Sequence, residues 1–358
     1  MKILQVCPGA YLSGRGGVSE HVVRISEGLV KRGHDVTVFA TNPGGLAWSE
    51  VVNGVKVRRF KRFAPGGAYF FSPSMLLALL NADFDVIHAH GFHAFPMHFA
   101  SLAKCKKFVV TPHFHGAGHS VFRDCLFKLF QPFGKSTLLR ADVVIAVSKF
   151  EKSLLLKHFG LDDSKIVVIP NGVDFGEFIG LKSHERGFRS ILYVGRLEDY
   201  KGVQYLVDVL PRLPKDVVLE IVGRGSLRAA LEKRAKLLGL DGRLLFFQDL
   251  PKRELLQKYV DADVFVLLSR HEAYSLAVAE SLVAGTPCIV ANASALTEWV
   301  DSTSCFGVDL PIGIGELADL INQVLRSKFK IRDINKWTGQ KILCWNDVAK
   351  KLEKVYEQ

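Results

Sequence analysis

Short apolar runs alternate with amphipathic stretches along the whole chain. The opening "KILQV" reads as a buried strand. The next stretch, "VSEHVVRISEGLVKRG", puts Val18, Val22, Ile25 and Leu29 on one helical face and stops at Gly33. "DVTVFA" is the following strand, and "VVNGVKVRRF" carries Asn53-Gly54 between β-rich flanks, a strong hairpin signal. Further strands are predicted at "DVIHAH", "KFVVT", "ADVVIAVS" and "KIVVIP". After "PNGVD" and the polar "KSHERGFRS" the alternation restarts with "ILYVGR", a helix from Val203, "VVLEIVG", a helix through "SLRAALEKRAKLLG", then "LLFFQ", "VFVLLS" and "PCIV". Near-continuous apolar strands separated by helices predict parallel sheets covered on both faces, and the restart predicts two of them.

An internal similarity supports the division. "ADVVIAVSKFE" (141–151) aligns without a gap on "ADVFVLLSRHE" (262–272). Each half also opens with a strand running into a glycine-containing loop and a helix, "ILQVCPGAYLSGRGGV" and "ILYVGRLEDYKGV". The expectation is an α/β protein of two doubly wound, Rossmann-like domains facing across a cleft, with ligand beyond the carboxyl ends of the strands.

The totals fit that picture. A chain of 358 residues suggests two domains at ~100–200 residues each. With 48% hydrophobic and 23% charged residues it has globular composition. Lys and Arg number 47 against 36 Asp and Glu, a net charge of +11 that favours phosphorylated molecules, anionic membranes or polyanions without choosing among them. The six cysteines form no Cys-x-x-Cys pair, which argues against a zinc-binding or disulfide framework and for a reducing, cytoplasmic setting. The apolar run of "MKILQVCPGA" is too short for a signal peptide, and no stretch approaches the ~18 residues of a spanning helix.

The stretch "RHEAYSLAVAES" holds two carboxylates, Glu272 and Glu280. Ser148-Lys-Phe-Glu151 and Ser269-Arg-His-Glu272 both have the form of a capping box, so Glu272 has a purely structural reading as a helix cap. Glu280 lies deeper, among Leu276, Ala277, Val278, Ala279 and Leu282, where a structural carboxylate is costly. Carboxylates accept hydrogen bonds from paired hydroxyls, as on a ribose or hexose, and the helix-start amides from Tyr274 through Ser275 to Leu276 suit a phosphate.

"HEAYSLAVAESLVAGTPCIV" resembles the Glu-x7-Glu signature of the retaining nucleotide-sugar glycosyltransferases of GT-B fold, glycosyltransferase family 4 (group 1). "GGVSEHVVRISEGLVKRGHDVTVFA", "DVIHAH", "IPNGVD", "YVGRLEDYKG" and the final "WNDVAKKLEKVY" agree in order, and the resemblance spans essentially the whole chain. It implies an N-terminal acceptor-side domain over 1–175, a C-terminal donor domain over 186–336, and a helix within 337–358 crossing back to the first domain. By position, Glu272 looks like the carboxylate on donor-sugar hydroxyls and Glu280 like the one on the nucleotide ribose. Arg196 and Lys201 look like the cations on the pyrophosphate, and Gly16 and Gly17 like the loop whose backbone approaches the donor. His113 falls where the family has a catalytic histidine near the donor sugar, with His115, His88 and His90 as rivals. Four histidines near strand ends also raise a metal site. No Asp-x-Asp motif or carboxylate partner accompanies them, and the family generally needs no ion for chemistry, so no metal or other cofactor is expected. The chain departs from the family at Ser275, where Gly is common, and at Gln248, beside the expected base pocket; the base is left open.

The basic excess concentrates in "VKVRRFKRFAPGGAYFFSPSMLLALL", where Lys56, Arg58, Arg59, Lys61 and Arg62 interleave with Phe60 and Phe63. "VFRDCLFKLFQPFGK" repeats the mixture. One reading is a solvated hairpin over core aromatics. The other is a surface of Arg58, Arg59, Lys61 and Arg62 that docks on anionic lipid or a lipid-linked acceptor glycan. No nucleic-acid motif is present. The expected activity is transfer of a sugar from a UDP- or GDP-sugar to an acceptor, on or near the cytoplasmic face of a membrane. Rival readings are a nucleotide-sugar epimerase or phosphorolytic enzyme on the same fold, or a non-catalytic sugar-binding protein.

Overall fold

The apolar runs become strands whose side chains are buried on both faces. In the computed structural model, residues 1–12, 16–63, 70–116, 121–327 and 341–358 are described, without the side chains of 121–129. The chain divides into two units, Met1–Gly172 with Leu343–Gln358, and Val173–Ile342. The 336/337 boundary expected from the sequence lies outside the described residues.

The first unit runs β1 (Lys2–Val6), α1 (Gly17–Lys31), β2 (Asp35–Asn42), β3 (Ser49–Val52), β4 (Val55–Lys61), α2 (Pro73–Leu80) and β5 (Phe84–His90). It continues with α3 (Phe95–Ala100), β6 (Cys105–Thr111), α4 (Val121–Arg140), β7 (Val143–Ala146), α5 (Lys149–Phe159) and β8 (Ile166–Val168). The second has β9 (Arg189–Val194), α6 (Val203–Val209), β10 (Val217–Val222), α7 (Arg228–Leu237), β11 (Leu244–Phe247), α8 (Lys252–Asp261) and β12 (Val264–Leu267). It ends with α9 (Leu276–Val283), β13 (Cys288–Ala291), β14 (Cys305–Val308) and α10 (Ile314–Ser327), after which α11 (Trp345–Glu357) belongs to the first unit.

Eight strands form the first sheet, in the order β3-β4-β2-β1-β5-β6-β7-β8. All neighbours are parallel except β3 and β4, joined antiparallel across Asn53-Gly54, which is the hairpin expected from the sequence, forming one antiparallel edge on an otherwise parallel sheet. The second sheet has the order β11-β10-β9-β12-β13-β14 and is parallel throughout. Its last strand, β14, was not anticipated, because "CFGV" is short and not flanked by a readable helix. Each sheet reverses its winding beside its first strand, at β1/β5 and at β9/β12. Such reversals leave a crevice at the carboxyl ends. Among the described residues, no helix is long and apolar enough to cross a membrane.

Polar side chains thread the first sheet. His88 Nδ1 meets the Tyr356 hydroxyl of α11 at 2.6 Å, and His88 Nε2 meets Thr111 Oγ1 at 2.7 Å. Gln5 donates to the same Tyr356 oxygen at 3.2 Å and faces His90 Nε2 with its own oxygen at 2.8 Å. Outside the sheet, Arg32 and His34 hold Glu353 of α11. The C-terminal helix is therefore fixed by polar partners as well as by Leu352 and Val355.

The Ser148–Glu151 capping box is half formed. Ser148 Oγ accepts from the Glu151 amide at 3.0 Å, but the Glu151 carboxylate accepts from the Val147 and Phe114 amides and joins α5 to the loop after β6. Burial pushes its carboxyl up to about 8, against those two amides, which favour the charged form. An unfolded glutamate titrates near ~4.3, so between there and pH 8 the folded state binds more protons. This contribution to stability is full below that range and is lost as pH rises to 8. The difference in unfolding free energy between wild type and Glu151→Gln should therefore shrink across this window, by up to ~1.4 kcal/mol per pH unit, as read by urea titration. A difference constant with pH would refute it.

Candidate active site

The loops leaving β9 and β12 bound the crevice of the second sheet. Beyond β9, Tyr193 donates to the Arg196 carbonyl at 2.7 Å and fixes the turn. Arg196 is exposed, donates to the Tyr200 hydroxyl, and places its guanidinium 5.6 Å from the Tyr200 ring centroid. Lys201 Nζ lies 5.3 Å from the same centroid. One buried ring thus carries both cations. Gly202 closes the turn at φ +73°, where a Cβ would strike the Leu268 carbonyl, so the β12 exit runs against this loop. The Arg270 amide donates to the Tyr200 carbonyl at 2.8 Å and ties the two loops together.

Glu272 meets Lys201 Nζ through Oε1 at 2.5 Å, with each side chain 13% exposed. The capping reading of Glu272 does not hold. The helix α9 begins only at Leu276, after Ser275, and Ser269 Oγ bonds the His271 carbonyl instead. The Glu272 backbone is pinned separately, its amide donating to Ser294 Oγ at 3.0 Å and its carbonyl accepting from Ala295. Eight residues on, Glu280 accepts from Lys252 Nζ, at the start of α8, at 2.5 Å. Tyr274 anchors the intervening turn: its hydroxyl donates to the Lys341 carbonyl, its own carbonyl accepts from the Trp299 indole, and the two rings meet edge to face.

Arg196, Lys201, Glu272, Tyr274, Ser275, Leu276 and Glu280 therefore all belong to the second unit, on the β9 and β12 exit loops and α9. Lys252 and Ser294 join them and were missed. Neither has a local signal, since each reaches its glutamate from a distant segment.

In the first unit, Gly16 caps α1 with extended backbone, and a Cβ there would meet nothing within 4 Å. Residues 13–15 of the same loop lie outside the described residues. His113 follows β6 at φ +49°, and His90 ends β5. Of its rivals, His88 has both ring nitrogens bonded and is structural. The unanticipated member is His21 of α1, whose ring centroid lies 5.0 Å from that of His113 and 5.3 Å from that of His90. Its signal was present: position 21 falls on the buried face marked by Val18, Val22 and Ile25.

The basic run needs one correction. Arg59 is buried, donating to the carbonyls of Ala47 at 2.9 Å and Tyr11 at 3.2 Å and pairing with Glu50, so it cannot serve a docking surface. Its charge is satisfied by the chain itself. Arg58 and Lys61 are exposed, and Arg62 packs over the Phe70 ring. Residues 64–69 of that run, and the side chains of 121–129 in its second copy, lie outside the described residues.

Two family models match consecutive segments, Glycosyltransferase Family 4 over residues 15–177 and Glycosyl transferases group 1 over 181–339. This chain belongs to the family 4, group 1 glycosyltransferases. An uncharacterized glycosyltransferase of Methanocaldococcus jannaschii is 28% identical, covering 96% of this chain and 94% of that one. A phosphatidyl-myo-inositol mannosyltransferase of Mycobacterium tuberculosis is 26% identical, covering 100% and 97%. Among solved structures, sucrose-phosphate synthase from Thermosynechococcus elongatus superposes with a TM-score of 0.80 at 20% identity, over 100% and 98% of the two chains. Anabaena HepE in complex with UDP and glucose gives 0.80 at 18%, over the whole of both. The glycosyltransferase has the GT-B fold.

Ser275, where the family commonly has Gly, sits at φ +82° and ψ +88°, and its side chain makes no capping bond. A non-glycine residue held there stores ~1–3 kcal/mol of strain. In this glycosyltransferase Ser275→Gly should raise the unfolding free energy by about 1 kcal/mol after the added flexibility of the unfolded chain is offset. Urea unfolding followed in the second unit would check it, and a loss of stability would show the turn to be unstrained.

Proposed function

We propose that this glycosyltransferase moves a sugar from a nucleotide diphosphate-sugar, UDP- or GDP-linked, to an acceptor with retention of configuration. The observation that carries the reading is the array Arg196–Tyr200–Lys201–Glu272 at the winding reversal of the second sheet, with Glu280 behind it. Arg196 is the exposed cation. Lys201 is already paired with Glu272, so a diphosphate drawing Lys201 away would free the Glu272 carboxylate for sugar hydroxyls. Donor binding and sugar positioning are then one event. Negative charge grows on the leaving diphosphate as the glycosidic bond breaks, and Arg196, Lys201 and the amides at Ser275 and Leu276 stabilise it where it develops. No carboxylate need act as nucleophile. Glu280 takes the ribose, His113 the donor sugar, and the Gly16–Gly17 backbone a donor phosphate. The open space at Gly16 supports the last role, because among the described residues nothing demands a missing side chain there. HepE, of the same fold, binds UDP and glucose.

On the acceptor side, the segment from β4 to α2 leaves Phe63, Leu77 and Leu80 exposed beside Arg58 and Lys61, and Trp48 and Val51 are exposed around the edge strand. Apolar side chains among cations fit an anionic lipid surface presenting a lipid-linked acceptor. A mycobacterial relative is named for phosphatidyl-myo-inositol. The protein is read as peripheral, at the cytoplasmic face.

Two experiments separate these roles. Glu280→Gln should weaken UDP or GDP binding by ~10- to 100-fold, the loss of a charge-assisted hydrogen bond, whereas Glu272→Gln should keep nucleotide affinity within a few-fold and lose most transfer. If calorimetry and product assays give the reverse pattern, the two assignments are exchanged. For the surface, wild type should sediment with anionic vesicles at low salt and be released as the Debye length falls below ~10 Å. Changing Arg58, Lys61 and Arg62 to Ser, with buried Arg59 retained, should abolish sedimentation and spare nucleotide binding. Equal binding to neutral vesicles would point to a soluble acceptor.

A further inference from the structure

We propose that His21, His90 and His113 form a binding site for one divalent transition-metal ion of the zinc class. Each ring offers one nitrogen, and these nitrogens lie within 4.8 Å of one another. Among the described residues, three buried ring nitrogens here have no hydrogen-bond partner: His21 Nε2, His90 Nδ1 and His113 Nε2. Unpartnered buried polar atoms are costly, and three from separate elements at one point are not an accident of one loop.

The other sides of two rings show which protons they carry. His21 Nδ1 faces Asn171 Oδ1 at 2.7 Å, and His90 Nε2 faces Gln5 Oε1 at 2.8 Å. Gln5 uses its nitrogen on Tyr356, which fixes its oxygen toward His90. A carboxamide oxygen only accepts, so the N–H groups of both rings point at these oxygens. That leaves His21 Nε2 and His90 Nδ1 as the lone-pair nitrogens, both in the set whose members lie within 4.8 Å of one another. A ligand histidine typically donates its far N–H to an oxygen in this way, which sets both tautomer and ring orientation. Lone pairs converging without a donor repel, and a cation removes the repulsion.

Geometry and charge agree. Tetrahedral zinc with Zn–N of ~2.0–2.1 Å brings ligand nitrogens to about 3.3 Å from one another, so modest ring movements close the set. Burial holds the His21 imidazolium down, its titration near 4, and keeps His90 and His113 well below the ordinary histidine range. His88 stacks beside His90 but has both nitrogens engaged and is not a ligand. His113 is half-buried as a residue, while its facing nitrogen, like those of His21 and His90, is buried. Three histidines with an open position are a known zinc set.

The ion plays no part in sugar transfer. Resting on the proposed role of His113 at the donor sugar, it would occupy that ring and exclude the donor, making the site inhibitory.

The test is titration of the chelator-treated full chain with Co²⁺, followed by displacement with Zn²⁺. One equivalent should bind, with the visible absorption of tetrahedral cobalt and no sulfur-to-cobalt charge-transfer band. His21→Gln and His113→Gln should abolish the band. Asn171→Ala, which leaves all three ligands in place, should weaken binding ~10- to 100-fold and guards against loss through misfolding. Absence of saturable cobalt binding, or equal binding in the histidine variants, overturns the site. In a separate arm, Zn²⁺ should raise the apparent KM for the nucleotide-sugar. One-equivalent binding without that effect leaves the metal site standing and overturns the placement of His113 at the donor.

Discussion

Right-handed crossovers wound in one direction only would put every helix on one face of a parallel sheet and leave the other face bare. Each sheet here starts near its middle, at β1 and at β9, and the chain must turn back past that strand to β5 and to β12. The loops leaving the two neighbouring strands then diverge to opposite faces, and neither flanking helix covers the gap between them. Two of the clusters described above border these gaps. Arg196, Lys201 and Glu272 occupy the second, and His90, His21 and His113 the first.

Charge in such a crevice has to be neutralised while it waits for a ligand. Lys201 and Glu272 are each largely withdrawn from water, and either alone would be strongly disfavoured there. Pairing gives each charge its partner. Lys252 and Glu280 repeat the device on α8 and α9, with Lys252 the more exposed of the two. The arrangement favours a ligand that brings opposite charges and hydroxyls together. A bare phosphate would satisfy Lys201 and strand Glu272, whereas a phosphate carrying a sugar offers a partner to each. Under the proposed function, selectivity for a diphosphate-sugar over the simple diphosphate would follow from the pairing. Two positive-φ residues attend Glu272, Ser275 three residues on and Ser294 through its bond to the Glu272 amide, so local backbone strain accompanies this electrostatic arrangement.

Both sheets were legible in the sequence because strands buried on both faces leave unbroken apolar runs, and the Asn53-Gly54 hairpin because its turn demands those residues. Contacts between segments far apart in the chain were not legible. Ser269 and Glu272 have the spacing of a helix cap, yet the backbone turns at Ser275 and the helix starts late; spacing cannot reveal where φ becomes positive. Arg59 looked like one of five equivalent cations. Along β4, Arg59 falls on the same buried face as Val55 and Val57, where Ala47, Tyr11 and Glu50 receive the guanidinium, while Phe60 is buried on the opposite face. Lys252 and Ser294 had no local mark at all. His21 did, on the apolar face of its own helix, where a histidine needs a reason.

That reason is tied to α11. The donors and acceptors running from Thr111 through His88, Tyr356 and Gln5 to His90 are matched one to one, and a half-satisfied buried network would cost more than an apolar core. The chain of bonds is closed at Thr111 and open at His90. Tyr356 sits in its middle, and Trp345, at the other end of the same helix, packs its ring against His21. The last helix therefore sets the orientation of two of the three histidines from opposite ends. Apolar contacts alone would allow this helix to slide or rotate. Hydrogen bonds to Tyr356 fix its register, and the direction in which His90 presents its lone pair is fixed with it.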